Sequence, residues 1–356
     1  MMNLSTAPSS TKLQSFFVGS YTDGESDGIY KYILHEDGSL TKAGLVAKAD
    51  NPSFLAISAD RKFLVAINEV NLDETGGRVE SYLIKEDKLE LLSRESSAGS
   101  DPCFVAISSD NFILTANYTS GTVGLLQLND DGIFSKVLDT QQHLGSGTAD
   151  RQNAAHAHSV WFVPGGDDII ALDLGTNQMC FYQLNKKKKK LGPLNQESLT
   201  LSPGAGPRHL AFHPDGKWIY VVNELNSSIS HIEKSSDGLY REVSACSTLP
   251  ETYEKENTCS DLRISADGKF FYVANRGHNS ISVFKASFSD GSLELLGRKS
   301  CGGESPRSFS LSPDEKFLLI ANQKSNNIVV LSRDKRSGLL KYKHQIEAFA
   351  PSSILF

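Results

Sequence analysis

The chain has 356 residues, 39% apolar and 22% charged, which excludes wholesale disorder and leaves room for one large all-β domain or two average ones. A formal net charge of −6 argues against a nucleic-acid partner, although an acidic protein still holds a small anion in a locally basic pocket. The five cysteines (Cys103, Cys180, Cys246, Cys259 and Cys301) are widely spaced and form no C-x-x-C pair, which counts against a disulfide framework or a zinc site and for buried thiols in a reducing compartment.

Residues 1–15 are polar and rich in Ser and Thr, and a flexible tail is expected there, with a single domain from Phe16 to Phe356. The start lacks the apolar run of a secretory signal, and no segment approaches the length of a membrane span; the expectation is a cytoplasmic protein with no membrane partner. The first strands in the chain are FFVGSYT from Phe16 and GIYKYIL from Gly28, both rich in aromatic and β-branched residues.

From Pro52 onward one phrase recurs: a Pro or its equivalent, a short apolar strand, a turn, and a second strand closing on Asn. Its copies are PSFLAISADRKFLVAINE from Pro52, PCFVAISSDNFILTANY from Pro102 and AHSVWFVPGGDDIIALDL from Ala157. They continue as PRHLAFHPDGKWIYVVNE from Pro207, CSDLRISADGKFFYVANR from Cys259 and PRSFSLSPDEKFLLIANQ from Pro306. A seventh start, PSSILF from Pro351, ends with the chain. By subtraction the starts lie 50, 55, 50, 52, 47 and 45 residues apart, a period that suits four-stranded blades. Asp215-Gly216 and Asp267-Gly268 mark the turn within the phrase, while Asp237-Gly238 and Asp290-Gly291 mark a later hairpin, following strands such as SISVFKA from Ser280.

The expected fold is therefore an all-β, seven-bladed propeller of four-stranded antiparallel blades. PSSILF supplies one strand of the last blade and the opening strands supply the rest, so that both termini close the ring and no edge is left open. The run Lys186–Lys190 falls between two outer strands and is expected at a solvated hairpin tip.

Strands one and two of each blade are antiparallel, so the start of one lies beside the end of the other at one mouth of the central channel. The residues after the leading Pro are Ser53, Cys103, His158, Arg208, Ser260, Arg307 and Ser352. Those after the closing Asn are Glu69, Tyr118, Leu174, Glu224, Arg276 and Gln323, with Ser20 or Tyr21 seventh in an open register. Three arginines, two glutamates and a histidine thus converge on one mouth. His156 and His158 are expected to point the same way in an alternating strand, but no neighbouring ligand completes a metal set. By the same alternation His209 is expected to point away from Arg208, into packing.

The phrases RQNAAHAH, PGAGPRHLAFHPDGKWIYVVNEL, ISADGKFFYVANRGHNSISVF and SPRSFSLSPDEKFLLIANQ resemble the lactonase family of seven-bladed propellers, which includes propeller-type bacterial 6-phosphogluconolactonases and fungal carboxymuconate lactonizing enzymes. The resemblance runs from about Phe16 to the end. It implies a metal-free, cofactor-free site at the channel mouth, with the His, two Arg and Glu proposed as active-site residues in the fungal branch. By motif these fall on Arg208, Glu224, Arg276 and either His158 or His156, with His158 favoured by its repeat position. The third repeat departs by ending in DLGTNQ.

Lactone hydrolysis needs an activated water, a home for charge on the carbonyl oxygen, and a proton for the leaving alkoxide. Glu224 or His158 would serve as base and the other as proton donor. Arg208 and Arg276 would hold the oxyanion or an anionic group of the substrate. Arg307, Arg151 from the adjoining loop, Glu69, Gln323, Tyr118 and His156 are the further candidates for substrate contact. The expected reaction is hydrolysis of 6-phosphogluconolactone in the pentose phosphate route, with a small anionic sugar lactone as the partner. The rivals are lactonization of a carboxylated muconate and a non-enzymatic propeller that binds a protein or an anionic ligand. A protein-binding platform would favour aromatic anchors at its mouth, where Tyr118 is the clear aromatic here.

Overall fold

The computed structural model describes residues 13–72 and 76–356. Up to residue 12 the expected tail lies outside the described residues, and the first strand opens at Gln14 rather than at Phe16. Seven four-stranded antiparallel sheets follow one another around a ring. Their inner strands are Leu55–Ile57, Pro102–Ile107, Ala157–Phe162, Pro207–Phe212, Thr258–Ile264, Pro306–Leu311 and Pro351–Leu355, here assigned to blades 1 to 7 in that order. Each inner strand contacts the next, and that of blade 7 contacts that of blade 1, which closes the channel wall. Blade 7 joins the two chain ends: Pro351–Leu355 pairs with Gln14–Ser20, with Phe17 opposite Leu355 and Val18 opposite Ile354.

The second strand of a blade is pressed between two neighbours. Accordingly Phe112–Asn117, Trp218–Asn223 and Phe317–Asn322 are buried at every position, which is why they read as continuous apolar runs. Outer strands such as Lys190–Thr200 face solvent and mix buried with exposed positions. Seven apolar clusters fill the spaces between adjacent blades; that between blades 2 and 3 includes Phe104, Leu114, Val160 and Ile169. The turn after the inner strand is built by side chains. Ser58, Ser265 and Ser312 each donate to an Asp two residues on (Asp60, Asp267, Asp314) and accept from the amide of Phe63, Phe270 or Phe317.

The residue after the leading Pro is out of register. In blade 4, Pro207 pairs with Asn223 and His209 with Val222, so Arg208 is an extra, bulged residue. The same skip sets apart Cys103, His158, Arg307 and Ser352 in blades 2, 3, 6 and 7, and a wider irregularity holds Ser260 and Asp261 in blade 5. A bulge breaks the alternation of side chains and re-aims them. The residue before each leading Pro accommodates the kink with a left-handed backbone: Asn51, Asp101, Gly206, Ser305 and Ala350 all have φ between 39° and 65°. Among the described residues no helix is long and apolar enough to cross a membrane.

Candidate active site

Glu224 is the hub of the mouth. It follows the closing Asn of blade 4, its amide is tied to the Gly206 carbonyl at 2.7 Å, and only 3% of it is exposed. Oε2 accepts from Arg208 Nε at 2.9 Å and lies 2.9 Å from Arg276 Nη2; Oε1 accepts from Arg151 Nη1 at 2.6 Å. His158 Nε2 stands 3.8 Å from Oε2, too far for a direct hydrogen bond. Three guanidinium groups and one imidazole thus surround one buried carboxylate, and His158, Arg208, Glu224 and Arg276 come together as the repeat positions require.

Backbone carbonyls fix the arginines. Arg208 Nη1 donates to the Ser260 carbonyl, and Arg276 Nη2 donates to the Cys259 carbonyl at 3.0 Å. Arg276 Nε is buried and has no hydrogen-bond partner among the described residues. Arg151 comes from the loop before blade 3, where the short 3-10 turn Asp150–Gln152 carries it, and its Nη2 donates to the Tyr118 hydroxyl at 2.9 Å. Tyr118 stacks on His156 with centroids 4.4 Å apart, and His156 Nδ1 donates to the Tyr118 carbonyl at 3.0 Å. His156 therefore supports Tyr118, whereas His158 faces Glu224.

Charge and burial set the protonation states. Burial alone would raise the Glu224 carboxyl, but Arg276 and Arg208, then His158 and Arg151, outweigh it and hold it well below the usual carboxylate range. Burial, with the Arg208 charge, pushes His158 well below its ordinary value against the pull of Glu224, so the imidazole is neutral at pH 7. Burial, with the Arg276 charge, lowers Arg208 to about 10. Cys103 backs His158, with Sγ 3.2 Å from the His158 carbonyl and 3.6 Å from Nδ1; burial raises this thiol far above its usual range, so it is no nucleophile.

A second cluster crosses blades 6, 7 and 1. Glu69 accepts from the Tyr21 hydroxyl at 2.7 Å and from Ser53 Oγ, with Arg307 Nη2 3.5 Å away; the Arg307 guanidinium lies 4.8 Å above the Tyr21 ring. Tyr21 thereby takes the place left open in the seventh blade: its amide bonds the Ala350 carbonyl, as that of Glu69 bonds Asn51 and that of Gln323 bonds Ser305. Ser20 is instead buried against Ser26 and the Gly28 carbonyl. Gln323 lies outside both clusters and lines, with Arg276, Lys324 and Glu304, a rim cavity of about 520 Å³ between blades 5 and 6.

His209 departs from the alternation. Because Arg208 is bulged, His209 does not turn away from it: His209 Nε2 lies 3.3 Å from Arg208 Nη1, and Nδ1 lies 3.0 Å from Asp261 Oδ1. The signal was one position further along the repeat, where the residues run Phe54, Phe104, Ser159, His209, Asp261, Ser308 and Ser353. Blade 3 also hides an ion pair. Asp173 stands where other blades close on Asn, bonds His143 Nδ1 at 2.7 Å, and accepts the His156 and Thr176 amides at 2.9 and 2.8 Å. Burial opposes a charge on His143, but the bond to Asp173 wins and raises it to about 10. Among the described residues no group of three or more His, Cys, Asp or Glu side chains is arranged to hold a metal ion. Lys186, at the start of the lysine run, bridges Asp110 and Asp167 on the surface.

The sequence matches the family described as "Lactonase, 7-bladed beta-propeller" over residues 15–356. It is 37% identical over 330 residues to a 6-phosphogluconolactonase of Bacillus subtilis strain 168, covering 91% of this chain and 92% of that protein. It is 32% identical over 337 residues to a 6-phosphogluconolactonase of Formosa agariphila, covering 91% and 94%. Among solved structures, the periplasmic gluconolactonase of Pseudomonas aeruginosa superposes with a TM-score of 0.91 at 30% identity, covering 96% of this chain and 98% of that one.

Proposed function

The chain belongs to the lactonase family of seven-bladed β-propellers, and from that premise we propose that it hydrolyses an anionic sugar lactone, 6-phosphogluconolactone first among them, at the arginine-lined mouth. The observation that carries this reading is the convergence of Arg151, Arg208 and Arg276 on buried Glu224, with neutral His158 beside it. Four arginines, counting Arg307, face two glutamates there, so the mouth carries excess positive charge suited to a phosphate or carboxylate. The names of the two relatives favour the phosphorylated lactone over a carboxylated muconate or a protein ligand.

Glu224 is a poor base, because a carboxylate held ionised by three guanidinium groups resists a proton. His158 takes the base role. Its Nε2 accepts a proton from water as the water oxygen attacks the lactone carbonyl carbon, and Glu224 stabilises the imidazolium that forms. Arg208 and Arg276 stabilise the oxyanion of the tetrahedral intermediate. Collapse breaks the ring C–O bond, and His158 returns its proton to the departing alkoxide, giving the hydroxy acid. Arg307 and Arg151 grip the anionic end, with Tyr21, Tyr118 and Glu69 shaping its approach. The substrate assists its own reaction: burial first, and then the arginine charge, keeps His158 weakly basic, and an anion among the arginines offsets the second of these.

The five free cysteines fit a reducing compartment, and we place the reaction in the cytoplasm, in the oxidative pentose phosphate route. The test is timed turnover of freshly generated 6-phosphogluconolactone by purified protein, corrected for spontaneous hydrolysis, beside gluconolactone and carboxymuconate. Turnover of the phosphorylated lactone well above the other two is expected. Preference for gluconolactone removes the phosphate from this reading, and no turnover of any of the three removes the hydrolase.

A further inference from the structure

Beneath the charged layer the next position of the repeat forms a second layer across the channel, and its two sides differ. Blades 1 and 2 supply Phe54 and Phe104, while blades 4, 5 and 6 supply His209, Asp261 and Ser308. The three polar residues are bonded in series. Asp261 Oδ1 faces His209 Nδ1 at 3.0 Å, Oδ2 accepts from Ser308 Oγ at 3.0 Å, and Arg263 Nη1 donates to Oδ1 at 2.8 Å. Asp261 is wholly buried and His209 is 2% exposed. The series ends upward on Arg208, whose Nη1 meets His209 Nε2 at 3.3 Å.

This geometry fixes protons. Arg208 has only N–H donors, so His209 Nε2 must be the acceptor, which leaves the His209 proton on Nδ1, facing Asp261. An ionised Asp261 enforces that tautomer, and burial, with the Arg208 charge, lowers His209 to about 4, so it stays neutral. The guanidinium is then held on three sides: Nε by Glu224, Nη1 by the Ser260 carbonyl and by His209. Nη2 makes no hydrogen bond among the described residues and is the donor left for substrate.

We infer that His209 and Asp261 are positioning residues that lock Arg208 in the orientation in which Nη2 meets the substrate. The inference rests on the hydrolysis proposed above, so one arm of its test does not depend on turnover.

In that arm, nitrogen NMR of the labelled protein reads the His209 tautomer at neutral pH, with the resonances assigned by their loss in His209→Gln. Protonated Nδ1 and bare Nε2 are expected; a proton on Nε2 overturns the inference. In the second arm, His209→Phe keeps the ring among its aromatic neighbours but removes the acceptor, and is expected to lower kcat about a hundred-fold, the scale of a misplaced catalytic group, with its melting temperature little changed. His209→Gln, whose Oε1 can accept from Arg208, is expected to recover to within about ten-fold of wild type on the same scale. Asp261→Asn releases the tautomer and is expected to fall between them. A folded Phe variant with wild-type kcat, or a Gln variant no better than Phe, overturns the inference. If wild type turns over no lactone, the hydrolysis alone falls, and the variants are compared by their affinity for inorganic phosphate: about ten-fold weakening in His209→Phe sustains the positioning role, and unchanged affinity ends it.

Discussion

The two ends of the central channel are made by the same seven inner strands, yet one end is a charged mouth and the other an apolar funnel. At the first, Arg208, Arg276, Glu224 and His158 sit at or beside strand ends; at the second, Phe54, Phe104, Trp161, Phe212, Ile264 and Leu355 line a cavity of about 540 Å³ in which Arg263 carries the charge. Between them lies an aromatic floor. Phe54 and Phe104 lie 4.4 Å apart, Phe104 and Trp161 4.6 Å, and the His209 ring meets the edges or faces of all three. The contrast shows how a repeat fold divides its labour along each strand. Interior positions hold the ring together, and the charged residues gather at the bulged strand starts and the strand ends beside them. The floor also matters electrostatically, because a mouth closed below by rings sits in a low-dielectric setting where each guanidinium acts more strongly than in water.

The largest effect that tests this contrast belongs to the mouth. Arg208→Ala is expected to cost about a hundred-fold or more in kcat, the scale of losing one preorganised donor. Glu224→Gln is expected to do likewise while also lowering stability by about 3–5 kcal/mol, because it leaves buried guanidinium groups facing one another uncompensated. Turnover measured with melting temperatures checks both, and full activity in folded variants would remove the mouth from the mechanism.

The floor should respond in the opposite sense. Phe104→Ala deletes a side chain 2% exposed and is expected to cost about 3–5 kcal/mol of stability, with the folded remainder losing less than about ten-fold in rate. Denaturant titration beside turnover separates the two, and a rate loss matching that of Arg208→Ala would erase the distinction between the ends.

A smaller effect lies in the pH profile. His158 must be neutral to act as base, and its folded value lies well below the ordinary one, so the acid limb of activity should lie well below the ordinary histidine range. Bound anion raises that value, so the acid limb of kcat should lie at higher pH than that of kcat/KM. Coincident limbs would remove the assisting role of the substrate charge. The smallest expected effect is none: exhaustive chelation should leave turnover unchanged, since a mouth crowded with guanidinium groups repels a cation. Loss of activity restored by a divalent ion would count against His158 and the arginines as the whole machinery.

The convergence of residues at the mouth is legible in the sequence, because equivalent repeat positions must meet in a closed ring. The meeting of Arg208, Glu224, Arg276 and His158 follows that way, and Arg307 and Glu69 also face the mouth, although their first partners are each other and Tyr21. His209 packs among rings as its alternation predicts, but its contact with Arg208 does not follow, because alternation assumes an unbroken ladder. Asp173 and His143 gave no local signal, since their pairing joins a strand end to a loop thirty residues away.

By itself the sequence determined the period, the blade count, closure by both termini and the two rings of residues at the mouth, because strand patterning and turn chemistry are local and repeat seven times. Tertiary structure alone decided which of those residues meet. Glu69 and Arg307 are 238 positions apart and touch only because the ring closes, Arg151 reaches Glu224 from a loop outside the repeat, and the one extra residue at the start of the blade 4 inner strand turns His209 back onto Arg208. Those contacts join side chains far apart in the chain or across a bulged position, and strand alternation read along the sequence reveals neither.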